Sequence, residues 1–190
     1  MLNYIISAER ENSDITPIFV GEEKCAPEHN YGPHIRTHTI VHAVISGKGV
    51  LTDKHGSHEI SAGELFIIRN GEMTVYTADK EEPWHYVWIA FVGNAERLFS
   101  EAKSVYDSPG GLTRELCELI SRGSVSADAY TAILYSLTAK LFTDTEKTRD
   151  RVSEIKKYIE YNYMNDVKVE SIAKQYGYER SYLYRIFFSR

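Results

Sequence analysis

The sequence predicts a mixed α and β fold: a small antiparallel barrel or jelly roll, then a helical segment, then a short helical hairpin. Three observations carry this. From about Ile18 to Val92, short runs rich in β-branched and aromatic residues alternate with glycine-marked turns, the pattern of a sandwich or barrel. After Asn94 the apolar spacing changes to threes and fours, which is helical. Near the end, two amphipathic stripes are hinged at Gly177.

Taken in order, the strand runs are I-R-T-H-T-I-V-H-A-V-I, V-L-T, S-H-E-I, L-F-I-I, M-T-V-Y and W-H-Y-V-W-I-A-F, parted by S-G-K-G, K-H-G-S, S-A-G-E and R-N-G-E. Candidate helices follow at Ala95–Ala102, Leu112–Ser121 and Ala127–Thr143, divided by D-S-P-G-G and R-G-S-V-S. In the last of these, Ala132, Leu134, Leu137 and Leu141 form a broad apolar face that must bury against something. A second copy of the chain is the expected partner, which makes Leu134, Leu137 and Leu141 candidate dimerisation residues. The polar stretch T-D-T-E-K-T-R-D reads as a linker. The expected division is 1–93 for the barrel with an N-terminal arm, 94–143 for the helical dimerisation segment, 144–151 for the linker and 152–190 for the hairpin domain.

Composition narrows the functional classes. A 43% hydrophobic and 26% charged chain of 190 residues suits one medium domain with a small appendage. No run of eighteen apolar residues and no charged-then-apolar leader occurs, so neither a membrane span nor secretion is expected, and a cytoplasmic location is. Cys25 and Cys117 are far apart and in no metal or redox spacing. The net charge of −5 is unevenly spread. Residues 1–145 hold 12 Lys/Arg and 20 Asp/Glu, a net of −8, whereas residues 146–190 hold 10 and 7, a net of +3. A basic tail on an acidic body fits a DNA reader attached to a sensor, although so small an excess neutralises few phosphates.

The tail V-K-V-E-S-I-A-K-Q-Y-G-Y-E-R-S-Y-L-Y-R-I-F-F-S-R carries Val169, Ile172, Ala173 and Tyr176 on one stripe and Leu183, Ile186 and Phe187 on the next. Arg180, Ser181, Tyr184 and Arg185 then project from the second helix, where they can enter a DNA major groove. An ordinary helical hairpin with a solvated polar face satisfies the same periodicity. Upstream, Val152 to Tyr163 is a third amphipathic helix, with Val152, Ile155, Ile159 and Tyr163 on one side. With its Y-I-E-Y-N-Y, V-E-S-I-A-K-Q-Y-G-Y and S-Y-L-Y-R-I-F segments, this region resembles the first helix-turn-helix of the AraC family of bacterial transcription regulators. Lys168 and Glu179 depart from it, standing where Ser, Thr or Asn would cap the helices. Family members carry two helix-turn-helix units, so the chain resembles a partial DNA-binding domain truncated before the second.

The β-region, through H-A-V-I-S-G-K-G, A-G-E-L-F-I-I, Y-T-A-D and P-W-H-Y-V-W-I-A-F, resembles the sugar-sensing cupin domain of the same family. The resemblance implies a cupin-like β-barrel (jelly roll) that binds a small-molecule effector, expected to be a sugar controlling a carbohydrate-utilisation operon. It also implies a homodimer and operator DNA as partners and admits RNA polymerase. Alternation along W-H-Y-V-W puts Trp84, Tyr86 and Trp88 on one face. By resemblance Trp88 would stack on the sugar, Tyr86 and Tyr76 would hydrogen-bond at its edge, and Arg36 would be the charged anchor, with His38 on the same opening strand. Tryptophans that merely fill the barrel core are the competing reading.

A metal-dependent cupin enzyme is the less favoured alternative. Its H-x-H pair fails at His38, which is followed by Thr39 and Ile40, and Arg69 and Thr74 stand where a Pro and a His are required. His34, His38 and His42 share parity, but residues four apart on one straight strand are separated by ~13 Å. The expectation is therefore no cofactor, no metal and no catalytic residue. A binding and dimerisation module without an effector remains the other alternative.

Overall fold

The structure, a computed structural model, describes residues 2–5, 14–100, 102–142, 151–165 and 167–188, with side chains placed for 14–100, 102–142, 154–165 and 167–185. It forms two compact units, Met1–Phe142 and Thr143–Arg190.

The first unit contains β1 (Leu2–Ile5), β2 (Thr16–Lys24), β3 (Asn30–Ile35), β4 (Thr39–Ser46), β5 (Lys48–Asp53), β6 (Gly56–Ser61), β7 (Glu64–Ile68), β8 (Met73–Ala78) and β9 (His85–Val92). After these come α1 (Glu96–Ser100), β10 (Val105–Asp107), α2 (Leu112–Ser121) and α3 (Ala127–Phe142). Two antiparallel sheets, ordered β1-β2-β9-β4-β7-β10 and β3-β8-β5-β6, share these strands. Consecutive strands pass back and forth between the sheets, which is the wiring of a jelly roll.

The larger sheet is buried on both faces, so its strands read as nearly continuous apolar runs. Alternation still sorts them. Ile40 and Val44 of β4, Phe66 and Ile68 of β7, and Tyr86, Trp88 and Ala90 of β9 face the smaller sheet, where they meet Leu51, Ile60, Tyr76 and Ala78. The intervening Val41, Ala43, Leu65, Ile67, Val87, Ile89 and Phe91 form a second core with Phe99, Leu112, Leu116, Ile120, Tyr130, Ile133, Leu134 and Leu137 of the helices. The layers are small sheet, large sheet, helices.

This layering corrects the expected dimer surface. Leu134 and Leu137 are 0% and 1% exposed, and Leu141 is half-buried against the same core. The apolar face of α3 is used by the chain's own sheet and is not available to a second copy. Tyr135, on the exposed side, bonds its hydroxyl to Asp14 at 2.9 Å, tying α3 to the start of β2.

The expected opening strand is also interrupted. β3 ends at Ile35 and β4 begins at Thr39, and the two lie in different sheets. Arg36 and His38 therefore sit in the connection rather than on a strand, and His34 and His42 are not on one straight strand. Four strands are missing from the runs read in the sequence: β1, which pairs with β2 (Leu2↔Glu22), β2 itself, β3, and β10, which closes the edge of β7 (Val105↔Phe66). Arg69, 3% exposed, fixes that edge. It donates to the carbonyls of Phe99 (3.0 Å) and Ala102 (2.5 Å) and pairs with Glu72 (3.3 Å) and Asp53 (3.5 Å). Burial works against the Asp53 carboxylate, but bonds from Ser104, the backbone of His55 and His58 outweigh it and hold Asp53 below its ordinary pKa.

The second unit has α4 (Arg151–Asn162), α5 (Val169–Tyr176) and α6 (Arg180–Phe188). Ile155, Ile172, Ala173 and Leu183 form its core, with Tyr158, Ile159, Tyr176 and Tyr178 packed around them. Gly177 ends α5 in the left-handed conformation (φ 69°, ψ 34°). Tyr178 N–H bonds to Ala173 O at 2.8 Å and Gly177 N–H to Lys174 O at 3.4 Å, the paired bonds of a Schellman cap. Lys168 makes no side-chain capping bond at the other end. Two stripe assignments need correction: Val169 is 45% exposed, and Tyr163 lies beyond the end of α4 and is 71% exposed. The side chains of Val152, Ile186 and Phe187 and most of the expected linker lie outside the described residues.

Candidate ligand site in the barrel and candidate DNA-facing helix

His42 is the hub of the barrel interior. It is 2% exposed and stacks on Phe66 at 4.4 Å, with Tyr86 at 5.0 Å, Tyr76 at 5.4 Å and Trp88 at 5.9 Å around it. β4, β7, β8 and β9 bring these rings together by period-two alternation. Tyr31 of β3 stacks on Tyr76 at 5.3 Å, and the Arg36 guanidinium lies over Tyr31, 4.4 Å from the ring centre. His38 makes an edge contact with Phe19 at 5.1 Å.

Of the sequence-predicted ligand residues, Arg36, Tyr76, Tyr86 and Trp88 therefore converge on one cluster, while His38 is placed beside Phe19. Tyr31, His42 and Phe66 were missed as members. His42 carries a legible signal, since it shares parity with Ile40 and Val44 on β4. Trp84 is a core residue: fully buried, it stacks on Phe66 at 5.3 Å. Gly49 makes its seat possible, because a Cβ there would stand 2.5 Å from the indole.

The electrostatics of the cluster follow from burial. Desolvation, helped by the nearby Arg36 charge, pushes His42 down to about 3, so it is neutral at ordinary pH, and its Nδ1 has no hydrogen-bond partner among the described residues. His38 is lowered for the same two reasons. Burial raises Tyr76 to about 12 against the opposing pull of Arg36, and raises Tyr86 as well. Both phenols stay protonated donors. The Tyr86 hydroxyl donates to Glu23 on the neighbouring strand β2 at 3.4 Å.

Beside this cluster the fold assembles three metal-donor atoms that sequence spacing did not suggest. One donor atom each from Glu23, Cys25 and His29 lies within 4.8 Å of the other two. The expectation of no metal was general, although it rested on the cupin positions, which are elsewhere. Two described surface clefts lie outside the aromatic cluster. One, of about 440 Å³, is lined by β5, β6 and β8 residues including Lys48, Glu59 and Thr77; the other, of about 500 Å³, includes His58, Lys103 and Tyr106.

In the second unit Arg180, Ser181, Tyr184 and Arg185 are all exposed on α6. Arg180 pairs with Glu170 of α5 at 2.8 Å, and Arg185 lies over Tyr182, 5.2 Å from its ring centre. The remaining guanidinium donors can face outward.

A jelly roll with an interior of aromatic rings and a few polar tips is an architecture that small-molecule-binding barrels share. Residues 16–147 match the model of the AraC-like ligand binding domain, and the chain belongs to that family. It is 29% identical to the Msm operon regulatory protein of Streptococcus mutans, over 98% of this chain and 75% of that protein. It is 26% identical to the raffinose operon transcriptional regulatory protein RafR of Pediococcus pentosaceus, over 90% of this chain and 70% of that one. Among solved structures, a variant of apo ToxT from Vibrio cholerae superimposes with a TM-score of 0.50 at 14% identity, over 96% of this chain and 77% of that chain; the likeness is one of fold. Among the described residues no helix is long and apolar enough to cross a membrane.

Proposed function

We propose that the chain is the sensory part, with a DNA-binding element, of a transcription regulator that responds to a sugar. The observation that carries this reading is the cluster of Arg36, Tyr31, Tyr76, His42, Tyr86 and Trp88 in the barrel. Its aromatic faces suit the C–H side of a sugar ring, and its protonated tyrosines and guanidinium suit the hydroxyls. The relatives named for the raffinose and lactose operons support a sugar as the ligand class. Trp88 is 6% exposed and Tyr76 4% exposed, whereas Tyr31 and Arg36 are half-buried above them. Admission of a sugar therefore requires Tyr31 and Arg36 to swing away. The ligand then replaces ring–ring contacts with its own, and that exchange biases the β3–β4 connection.

In the second unit we assign α5 and α6 as a helix-turn-helix, with Ser181, Tyr184 and Arg185 towards the bases and Arg180 near the backbone. The exposed polar face of α6 over a buried Leu183 supports this. Cytoplasmic location and lack of enzymatic activity accompany the regulator reading. A second reading, a barrel that serves as a scaffold without an effector, is favoured by the close ring packing alone. Isothermal titration of a panel of mono- and oligosaccharides separates the two. Saturable binding that is weakened by Arg36→Ala supports the sensor; absence of binding throughout the panel supports the scaffold.

A further inference from the structure

We propose that Glu23, Cys25 and His29 form a binding site for one divalent metal ion of the zinc class, set against the outer end of the aromatic cluster. The three donors are of the types zinc selects: a carboxylate, a thiolate and an imidazole. Cys25 and His29 flank a short turn that brings their donor atoms together, and Glu23 reaches the same point from the end of β2. Metal–ligand bonds of ~2.0–2.3 Å place tetrahedral donors ~3.3–3.8 Å apart. A present spread of at most 4.8 Å therefore closes by small side-chain rotations.

The backbone holds the ligands in place without a metal. Cys25 N–H bonds to Trp84 O at 3.1 Å, His29 N–H to Ala26 O at 3.1 Å, and Ala78 N–H to His29 O at 2.9 Å. Both ends of the loop are thus pinned to the barrel. Cys25 is 9% exposed and the Glu23 side chain 13%, while His29, at 31%, leaves a path for the ion. The contacts within the group are long: His29 Nε2 stands 3.9 Å from Glu23 Oε1, and the Tyr86 hydroxyl 3.4 Å from Glu23 Oε2. A cation would shorten the first and leave Tyr86 as the partner that orients the carboxylate. Three protein ligands leave a fourth position for water. An ordinary thiol is protonated at neutral pH. Binding breaks the S–H bond, forms the metal–sulfur bond and releases one proton to solvent.

The test is titration of the untagged, chelator-treated 190-residue chain with Co2+ and Zn2+ at neutral pH. The expected result is one ion per chain, a near-ultraviolet thiolate-to-cobalt charge-transfer band and release of one proton per ion. Cys25→Ser should abolish the band, His29→Ala should weaken binding at least tenfold, and Cys117→Ser should change nothing. If Cys25→Ser does not fold by circular dichroism, Glu23→Gln decides, since it keeps the tyrosine contact and removes the anionic ligand; it should weaken binding at least tenfold. No band in the folded wild-type chain, a band that survives Cys25→Ser, a band lost in Cys117→Ser, or undiminished affinity in Glu23→Gln would each overturn the proposal.

Discussion

At the scale of single residues, the barrel interior depends on His42 remaining neutral. Its folded pKa, pushed down to about 3, lies below the ordinary 6.5. Between those values the unfolded chain takes up a proton that the folded chain refuses, so stability falls as pH falls below 6.5. The slope approaches about 1.4 kcal/mol per pH unit, or about 2 kcal/mol between pH 6.5 and 5. Urea unfolding of the wild type and His42→Phe at both pH values checks this: the wild type should lose the larger share, and parallel losses would show that His42 is not the titrating group. Trp84→Ala should cost about 3–5 kcal/mol, because it empties the seat between Phe66 and Gly49. The facing of Trp84, Tyr86 and Trp88 was legible, since alternation along one strand fixes it. Tyr31 and Phe66 were not, because their positions depend on which strands pair across the two sheets. The Glu23–Cys25–His29 group was hidden for a related reason: its ligands meet only after the turn at Ala26–His29 folds back.

At the scale of elements, α2 was legible to the residue and α3 nearly so, while the destination of α3 was not. A broad apolar helix face states that burial is required, but an intramolecular sheet and a second copy satisfy it equally. Leu137→Ala should cost about 2–5 kcal/mol, and Leu137→Glu more, since the carboxylate would have no partner in the core. Chemical denaturation measures both; Leu137→Glu with unchanged stability and halved mass by light scattering would return the interface to this face. β10 escaped notice because three residues carry no period, and its pairing partner is nearly forty residues away in sequence. The hinge at Gly177 was legible from position alone. Nothing lies within 4 Å of a Cβ built there, so Gly177→Ala should cost only the strain of positive φ, about 1–2 kcal/mol, read as a lower melting temperature of the second unit.

At the scale of the whole molecule, an acidic sensory body carries a basic tail whose helix α6 presents Ser181, Tyr184 and Arg185 to solvent. In a natural regulator that contains these residues, Arg185→Ala should weaken operator binding by about 1–3 kcal/mol and relax specificity if the guanidinium reads a guanine edge. Equal losses on operator and random DNA, in gel-shift titrations at fixed salt, would make Arg185 a backbone contact instead.

The central claim, that the aromatic cluster of the barrel senses a sugar, is tested most directly by thermal shift of the 190-residue chain against a saccharide panel. Wild type, Arg36→Ala and Tyr76→Phe would be compared, the last of which keeps the ring and removes the hydroxyl. Binding to the folded state alone raises stability by about 2.7 kcal/mol at a hundredfold excess over Kd. The account predicts that at least one sugar raises the melting temperature of the wild type in a concentration-dependent way, that the shift shrinks in Tyr76→Phe, and that it vanishes in Arg36→Ala. A cooperative melt that no sugar moves, or a shift that both variants retain in full, would contradict it.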